Sequence, residues 1–170
     1  AEVIETEMPR LTHDLDAMKK AITDRTKLIF LPSPNNPTGT VNSTEEISAF
    51  VRSLPEHVLF CLDEAYAEYL DDPFDLRPFI AEGRKVLGLR TFSKIHGLAG
   101  LRIGYGYGSP EMIGLLQQAR QPFNANSVAQ ASAIGALEDR DWVDLCRRRN
   151  RAGLDQVGMG CARLGLEVVP

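Results

Sequence analysis

Val86-Leu87-Gly88-Leu89-Arg90-Thr91-Phe92-Ser93-Lys94 is the stretch that decides how the chain is read. Its first four residues are an apolar run of strand length, as in a buried strand. Its last four carry two hydroxyls and a lysine to the point where that strand ends. The loop Ile95 to Gly100 and then Arg102 follow. Open α/β sheets bind ligands at the carboxyl ends of their strands. A lysine shielded from water there titrates lower and becomes nucleophilic, which suits Schiff-base chemistry. A lone loop lysine is ordinarily just solvated; here three other segments supply matching parts.

Two more apolar runs end in the same way. Leu28-Ile29-Phe30-Leu31 is bounded by Pro32 and leads into Ser33-Pro34-Asn35-Asn36-Pro37-Thr38-Gly39-Thr40, a rigid turn by its Pro, Asn and Gly content. Val58 to Leu62 runs directly into Asp63-Glu64-Ala65-Tyr66. Arg102 to Tyr107 reads as a fourth strand, with Ile103, Tyr105 and Tyr107 alternating against glycines.

Helical patterns separate these runs. Thr12 is placed to cap a helix to about Ile22, with Leu15, Met18 and Ile22 on one face. Ser43 with Glu46 makes a capping box ahead of Ile47, Phe50, Val51 and Leu54, and Pro55 ends that pattern. Asp71 to Pro78 reads as a surface loop. Beyond Pro110 the pattern is helical, with Met112, Ile113, Leu115 and Leu116 as an apolar stripe. Phe123 to Asn126 is a loop, and Ser127 is expected to cap the next helix. Trp142 to Leu164 predicts one long helix weakened near Gly158 and Gly160, and Leu166 to Pro170 a strand beginning. Strands alternating with helices predict an α/β fold around a mostly parallel sheet.

Composition narrows the function. The chain has 170 residues, 44% hydrophobic and 25% charged, as expected of one compact globular unit. A net charge of -4 argues against a nucleic-acid surface, which is normally basic. No apolar run reaches membrane-spanning length, and no signal peptide opens the chain. Cys61, Cys146 and Cys161 are widely spaced with no CxxC pair, so neither a disulfide framework nor a zinc site is expected. His13, His57 and His96 lack metal-ligand spacing, and no metal is expected. A reducing cytoplasm is the simplest compartment. Ala1 at the start and a strand-like ending suggest a piece of a longer protein.

Four strand ends thus carry polar groups: Asn36; Asp63 with Tyr66; Thr91, Ser93 and Lys94; and Arg102. If the first three strands run parallel, these groups converge on one cleft. An amine, a carboxylate, a phenol, an amide, hydroxyls and a guanidinium together match pyridoxal 5'-phosphate. Lys94 would condense with its aldehyde and Asp63 would keep its ring nitrogen protonated, making the ring an electron sink. Asn36 and Tyr66 would donate to its phenolic oxygen. Arg102 would grip the phosphate as a charged fork, with Thr91 and Ser93 adding hydroxyls. Gly97 and Gly100 would admit a close backbone approach. Each residue also has an ordinary reading. Asp63-Glu64 could be a solvated acidic turn, Tyr66 a roof on the core, Asn36 a turn former and Arg102 the partner of a surface acid. Cys61 reads as core, and Arg147-Arg148-Arg149 as the solvated face of a helix.

Asn36-Pro37-Thr38-Gly39, Asp63-Glu64-Ala65-Tyr66, Ser93-Lys94 and Gly100-Leu101-Arg102-Ile103-Gly104 stand in the order and spacing of the aspartate aminotransferase superfamily. The fuller strings Pro34 to Gly39 and Arg90 to Lys94 most resemble the histidinol-phosphate aminotransferases, as do Pro122 to Asn126 and Leu164 to Val168. The resemblance covers essentially the whole chain. It implies a three-layer α/β large domain, incomplete at both ends. Residues 1–140 would be part of the cofactor-binding domain, and 141–170 a long helix leading into a truncated small domain. It also implies that Lys94 is the Schiff-base lysine and the proton shuttle, that Asp63 holds the pyridinium, and that Tyr66 and Asn36 hold the phenolic oxygen. Thr91, Ser93 and Arg102 would hold the phosphate. The substrates would be a small amino-acid donor, L-histidinol phosphate, and a 2-oxo acid, and the intact protein would be a homodimer. The family's upstream phosphate loop with its stacking aromatic, and its downstream carboxylate-binding arginine, have no counterpart here, so this chain alone is expected to be nearly inactive. Two other readings share the residues: a decarboxylase acting on an amino-acid phosphate, and a non-catalytic effector domain of a transcription regulator.

Overall fold

In the computed structural model, which describes residues 2–169, four strands form one sheet. They are β1 (Leu28–Pro32), β2 (Leu59–Asp63), β3 (Val86–Thr91) and β4 (Gly104–Gly108), adjacent in that order. β1, β2 and β3 are parallel, while β4 is antiparallel to β3, with Thr91 opposite Gly104. Reversal of the last strand brings its start, and not its end, to the carboxyl edge of the sheet.

One face of the sheet is built by strict alternation. Ile29 and Leu31, Phe60 and Leu62, and Val86 point into a single core. Ile47, Phe50 and Val51 of α2 (Thr44–Ser53) and Phe79 of α3 (Arg77–Ala81) close it, with Leu15 and Met18 of α1 (Leu15–Lys20) at its margin. The capping box at α2 forms as expected: Ser43 accepts from the Glu46 amide, and Glu46 accepts from the Ser43 amide. Three further helices follow: α4 (Pro110–Ala119) against β4, α5 (Ser127–Glu138) and α6 (Arg140–Arg163).

Several expectations are corrected. Asp14, and not Thr12, caps α1, its carboxylate accepting from the Ala17 amide at 2.9 Å. Asn126 caps α5 one residue before Ser127, accepting from the Ala129 amide. The stretch read as a surface loop, Asp71 to Pro78, is non-helical up to Leu76 and enters α3 at Arg77, but its Phe74 and Leu76 are buried, so it is anchored by apolar side chains. β4 starts at Gly104, because Arg102 adopts a left-handed conformation that breaks the strand. α6 continues unbroken through Gly158 and Gly160. Residues 166–169 form no strand, and Pro170 lies outside the described residues. The apolar stripes do not all find a core: Leu115, Leu116, Leu154 and Val157 are exposed, as are Leu28 and Phe30 on the other face of β1.

No described helix is long and apolar enough to cross a membrane. No described cluster of His, Cys, Asp or Glu could hold a metal ion.

Candidate active site

Sheet hydrogen bonding continues past the strands and sets the loops that carry the polar groups. The Ser33 amide donates to the Asp63 carbonyl at 3.0 Å, and the Glu64 amide to the Leu89 carbonyl at 2.9 Å. The Phe92 amide donates to the Ile103 carbonyl at 3.2 Å. These bonds align the loops after β1, β2 and β3 with the segment before β4.

Side chains from three of these loops form one chain of contacts. Asn36 Nδ2 donates to Tyr66 Oη at 3.1 Å. Lys94 Nζ lies 5.1 Å from the centre of the Tyr66 ring, a cation over an aromatic face. Asp63 ends β2 half-buried, with one oxygen accepting from the Ala65 amide at 3.0 Å. It forms no ion pair among the described residues. Its second oxygen is therefore not committed to a cation among the described residues.

The turn after β3 is tightly specified. Thr91 Oγ1 accepts from the Ser93 amide at 3.0 Å. The Gly97 amide donates to the Lys94 carbonyl and the Leu98 amide to the Phe92 carbonyl, both at 2.9 Å. Gly97 stands at φ +71°, where a side chain would be strained. Gly100 is under no such constraint, with ordinary φ and open space around it. Arg102 takes φ 53° without being glycine, at a cost of about 1 kcal/mol. Its amide and its guanidinium both bond the Ala99 carbonyl, the latter at 2.9 Å, which holds that conformation. Lys94 is exposed, so the described residues do not give it the shielding expected from the sequence.

A second polar cluster, beneath the site, was missed by the sequence reading. Glu64 follows Phe60 and Leu62 on the core face and is 1% exposed. Arg90 donates to it at 3.0 Å, and Tyr107 donates its hydroxyl to the same carboxylate. Burial pulls the Arg90 guanidinium down, but the bond and charge of Glu64 outweigh it and hold the group above its usual range. Burial first, then the Glu64 hydrogen bond, pushes the Tyr107 phenol up. The signal was present: a carboxylate at a core-facing alternate position demands a cation.

The Asn36 loop is braced from outside. Asn35 Nδ2 donates to Thr38 Oγ1 at 2.8 Å, and Thr40 donates to the Leu11 carbonyl at 2.7 Å. His13 bonds the Asn35 side chain at 3.1 Å. Arg147, expected on a solvated helix face, instead reaches the Leu70 carbonyl and Asp71. Cys61 is core as expected, its thiol pushed up to about 11 by burial and by the charge of Asp63.

The sequence profile of aminotransferase class I and II matches residues 2–170. Histidinol-phosphate aminotransferase 1 of Nitrosococcus oceani is 47% identical over 161 residues, covering 93% of this chain and 43% of that protein. The chain thus spans less than half the length of this relative. Among solved structures, histidinol-phosphate aminotransferase of Sinorhizobium meliloti in complex with pyridoxal-5'-phosphate superimposes with TM-score 0.83 at 32% identity, over 92% of this chain and 44% of that one. Aspartate aminotransferase of Thermus thermophilus with maleate gives 0.80 at 30% identity, over 95% and 44%.

Proposed function

Because the chain belongs to the aminotransferase class I and II family, we propose that it supplies the cofactor-binding residues of a pyridoxal 5'-phosphate-dependent transaminase of the histidinol-phosphate type. The reaction moves an amino group between L-histidinol phosphate and a 2-oxo acid, a step of histidine biosynthesis. Residues 1–140 are part of the cofactor-binding domain, and 141–170 are a long helix leading into a truncated small one. The working protein is a cytoplasmic homodimer. The names of the similar proteins favour transamination over the decarboxylase and regulator readings.

The observation that carries this reading is the contact chain Lys94–Tyr66–Asn36, drawn from three separate strand ends. It brings an amine, a phenol and an amide within reach of one small ring, with Asp63 three residues before Tyr66. The donor set fits the cofactor group by group. When bound, pyridoxal phosphate supplies an electron sink for the charge left at the substrate Cα.

The chain's residues do the rest. Lys94 would hold the aldehyde end of the cofactor, and its amine would move the proton at the substrate Cα. Asp63 would keep the ring nitrogen protonated, its second oxygen accepting a hydrogen bond from that N–H while the first accepts from the Ala65 amide. Tyr66 and Asn36 donate to the phenolic oxygen. Thr91, Ser93 and Arg102 would hold the phosphate, Arg102 through guanidinium N–H groups other than the one bonded to the Ala99 carbonyl.

Titrating the protein with pyridoxal phosphate tests this directly. A visible absorbance band appears, is absent from Lys94→Ala, is bleached by L-histidinol phosphate as that donor leaves as its ketone, and returns when a 2-oxo acid takes up the amino group. Carbon dioxide release from an amino-acid phosphate, with no 2-oxo acid consumed, would transfer the site to the decarboxylase reading. The 170-residue chain alone turns over far more slowly than a chimera carrying the flanking regions of the N. oceani relative.

A further inference from the structure

Trp142 is the only tryptophan of the chain. Its indole Nε1–H donates to the Ile95 carbonyl at 2.9 Å, across 47 residues of sequence. Ile95 directly follows Lys94 and is buried, and its carbonyl receives no other hydrogen bond among the described residues. A buried carbonyl left without a donor is costly, so this bond matters to the turn that bears Lys94.

α6 takes a second hold close by. Arg147 donates to the Leu70 carbonyl at 3.0 Å, and Arg147 and Arg151 each reach Asp71 at 2.8 Å. Leu70 closes the short 3-10 turn Ala67–Tyr69, which Tyr66 caps. The helix therefore grips one carbonyl just beyond Lys94 and another just beyond the turn started by Tyr66. α6 has no buried side chain, so these polar holds dock it together with half-buried Val143, Leu145, Cys146 and Cys161. The Lys94 turn is already closed by its own two backbone bonds. The indole adds a constraint from outside the turn at the residue next to Lys94, beside the Phe92 amide bond to the Ile103 carbonyl at the turn's start.

We infer that Trp142 is a positioning residue for Lys94: its indole N–H fixes the backbone from which the amine projects. The inference rests on the reading of Lys94 as the cofactor lysine. A phenylalanine there would keep the ring and lose the donor.

The test compares the wild-type protein, Trp142→Phe, and Leu145→Ala, which loosens the same helix without touching the Ile95 carbonyl. Hydrogen exchange is followed at the amides of residues 94–98, and pyridoxal phosphate affinity by absorbance. Trp142→Phe speeds exchange at those amides by about fivefold, the worth of one hydrogen bond. It weakens cofactor uptake by a similar factor. Leu145→Ala leaves both close to wild type, and Trp142→His, which keeps a ring N–H, regains part of the protection. Unchanged exchange in Trp142→Phe overturns the inference. So does an equal rise in Leu145→Ala, which makes the effect a general loosening of α6. Faster exchange with unchanged affinity also overturns it, since the turn would then be ordered without serving the amine. If the wild-type protein takes up no pyridoxal phosphate on Lys94, the proposed function fails, and the exchange data still decide whether the indole orders the turn.

Discussion

Asn36 and Tyr66, thirty positions apart in sequence, are joined side chain to side chain by a 3.1 Å hydrogen bond from Asn36 Nδ2 to Tyr66 Oη. The bond spans the loops that leave two neighbouring parallel strands, and it exists because β1 and β2 end at the same edge. Tyr66 in turn lies under the amine of Lys94, from a third strand end. A double-mutant cycle measures what the pairing contributes. Asn36→Ala and Tyr66→Phe are each expected to weaken pyridoxal phosphate binding by about fivefold, and the double variant by clearly less than the product. Strict additivity would mean that the two groups act independently.

Glu64 and Arg90 lock β2 to β3 one residue away from Asp63 and Thr91. Glu64→Leu leaves Arg90, with a 26% exposed side chain, facing only Glu68 at 3.7 Å. Urea unfolding should show a loss of about 3 kcal/mol, and Glu64→Leu/Arg90→Met should recover most of it. Recovery is expected because no buried charge is then left unpaired.

Gly88 sits beneath the Tyr107 ring. A Cβ added there would run into Tyr107 Cε1 and Cζ and come within 2.8 Å of Glu64 Oε2. Gly88→Ala should therefore cost about 2 kcal/mol by overpacking. Gly114→Ala is the control: it meets nothing within 4 Å and lies in a helix, so its melting temperature should hold or rise.

Stability should fall on the alkaline side. The Cys61 thiol is raised from 9.0 to about 11 by burial and then by Asp63, and the Tyr107 phenol is raised from 10.0 by burial and then by Glu64. The folded state thus holds these protons more tightly than the unfolded chain. Their contribution is complete below the unfolded values and is lost as pH climbs through the folded ones. For Cys61 the window is pH 9 to 11 and the amount about 3 kcal/mol. Chemical denaturation of Cys61→Ala across that window should show a visibly shallower decline than wild type.

The sheet and its polar carboxyl edge were legible in the sequence because each apolar run stops at a polar residue, as Leu62 stops at Asp63 and Leu89 before Thr91. The α2 capping box was legible because Ser43 and Glu46 are a local signal. What sequence could not supply was partnership across the fold. Glu64 looked like half of an acidic turn until Arg90 and Tyr107, 26 and 43 residues away, came beside it. Arg147 looked like one of three solvated arginines, yet it reaches a carbonyl 77 residues away. Thr12 and Ser127 are as competent to cap as Asp14 and Asn126, and tertiary geometry chose between them. Arg102 reads as strand by its neighbours, but its left-handed backbone was set by the Ala99 carbonyl.

Lys94 is one of five lysines in the chain. Borohydride reduction of the protein with stoichiometric pyridoxal phosphate, followed by peptide mass mapping, tests its role most directly. The label should fall on Lys94 alone and vanish in Lys94→Ala. A label distributed over Lys19, Lys20, Lys27 and Lys85, or persisting undiminished in Lys94→Ala, would contradict the account.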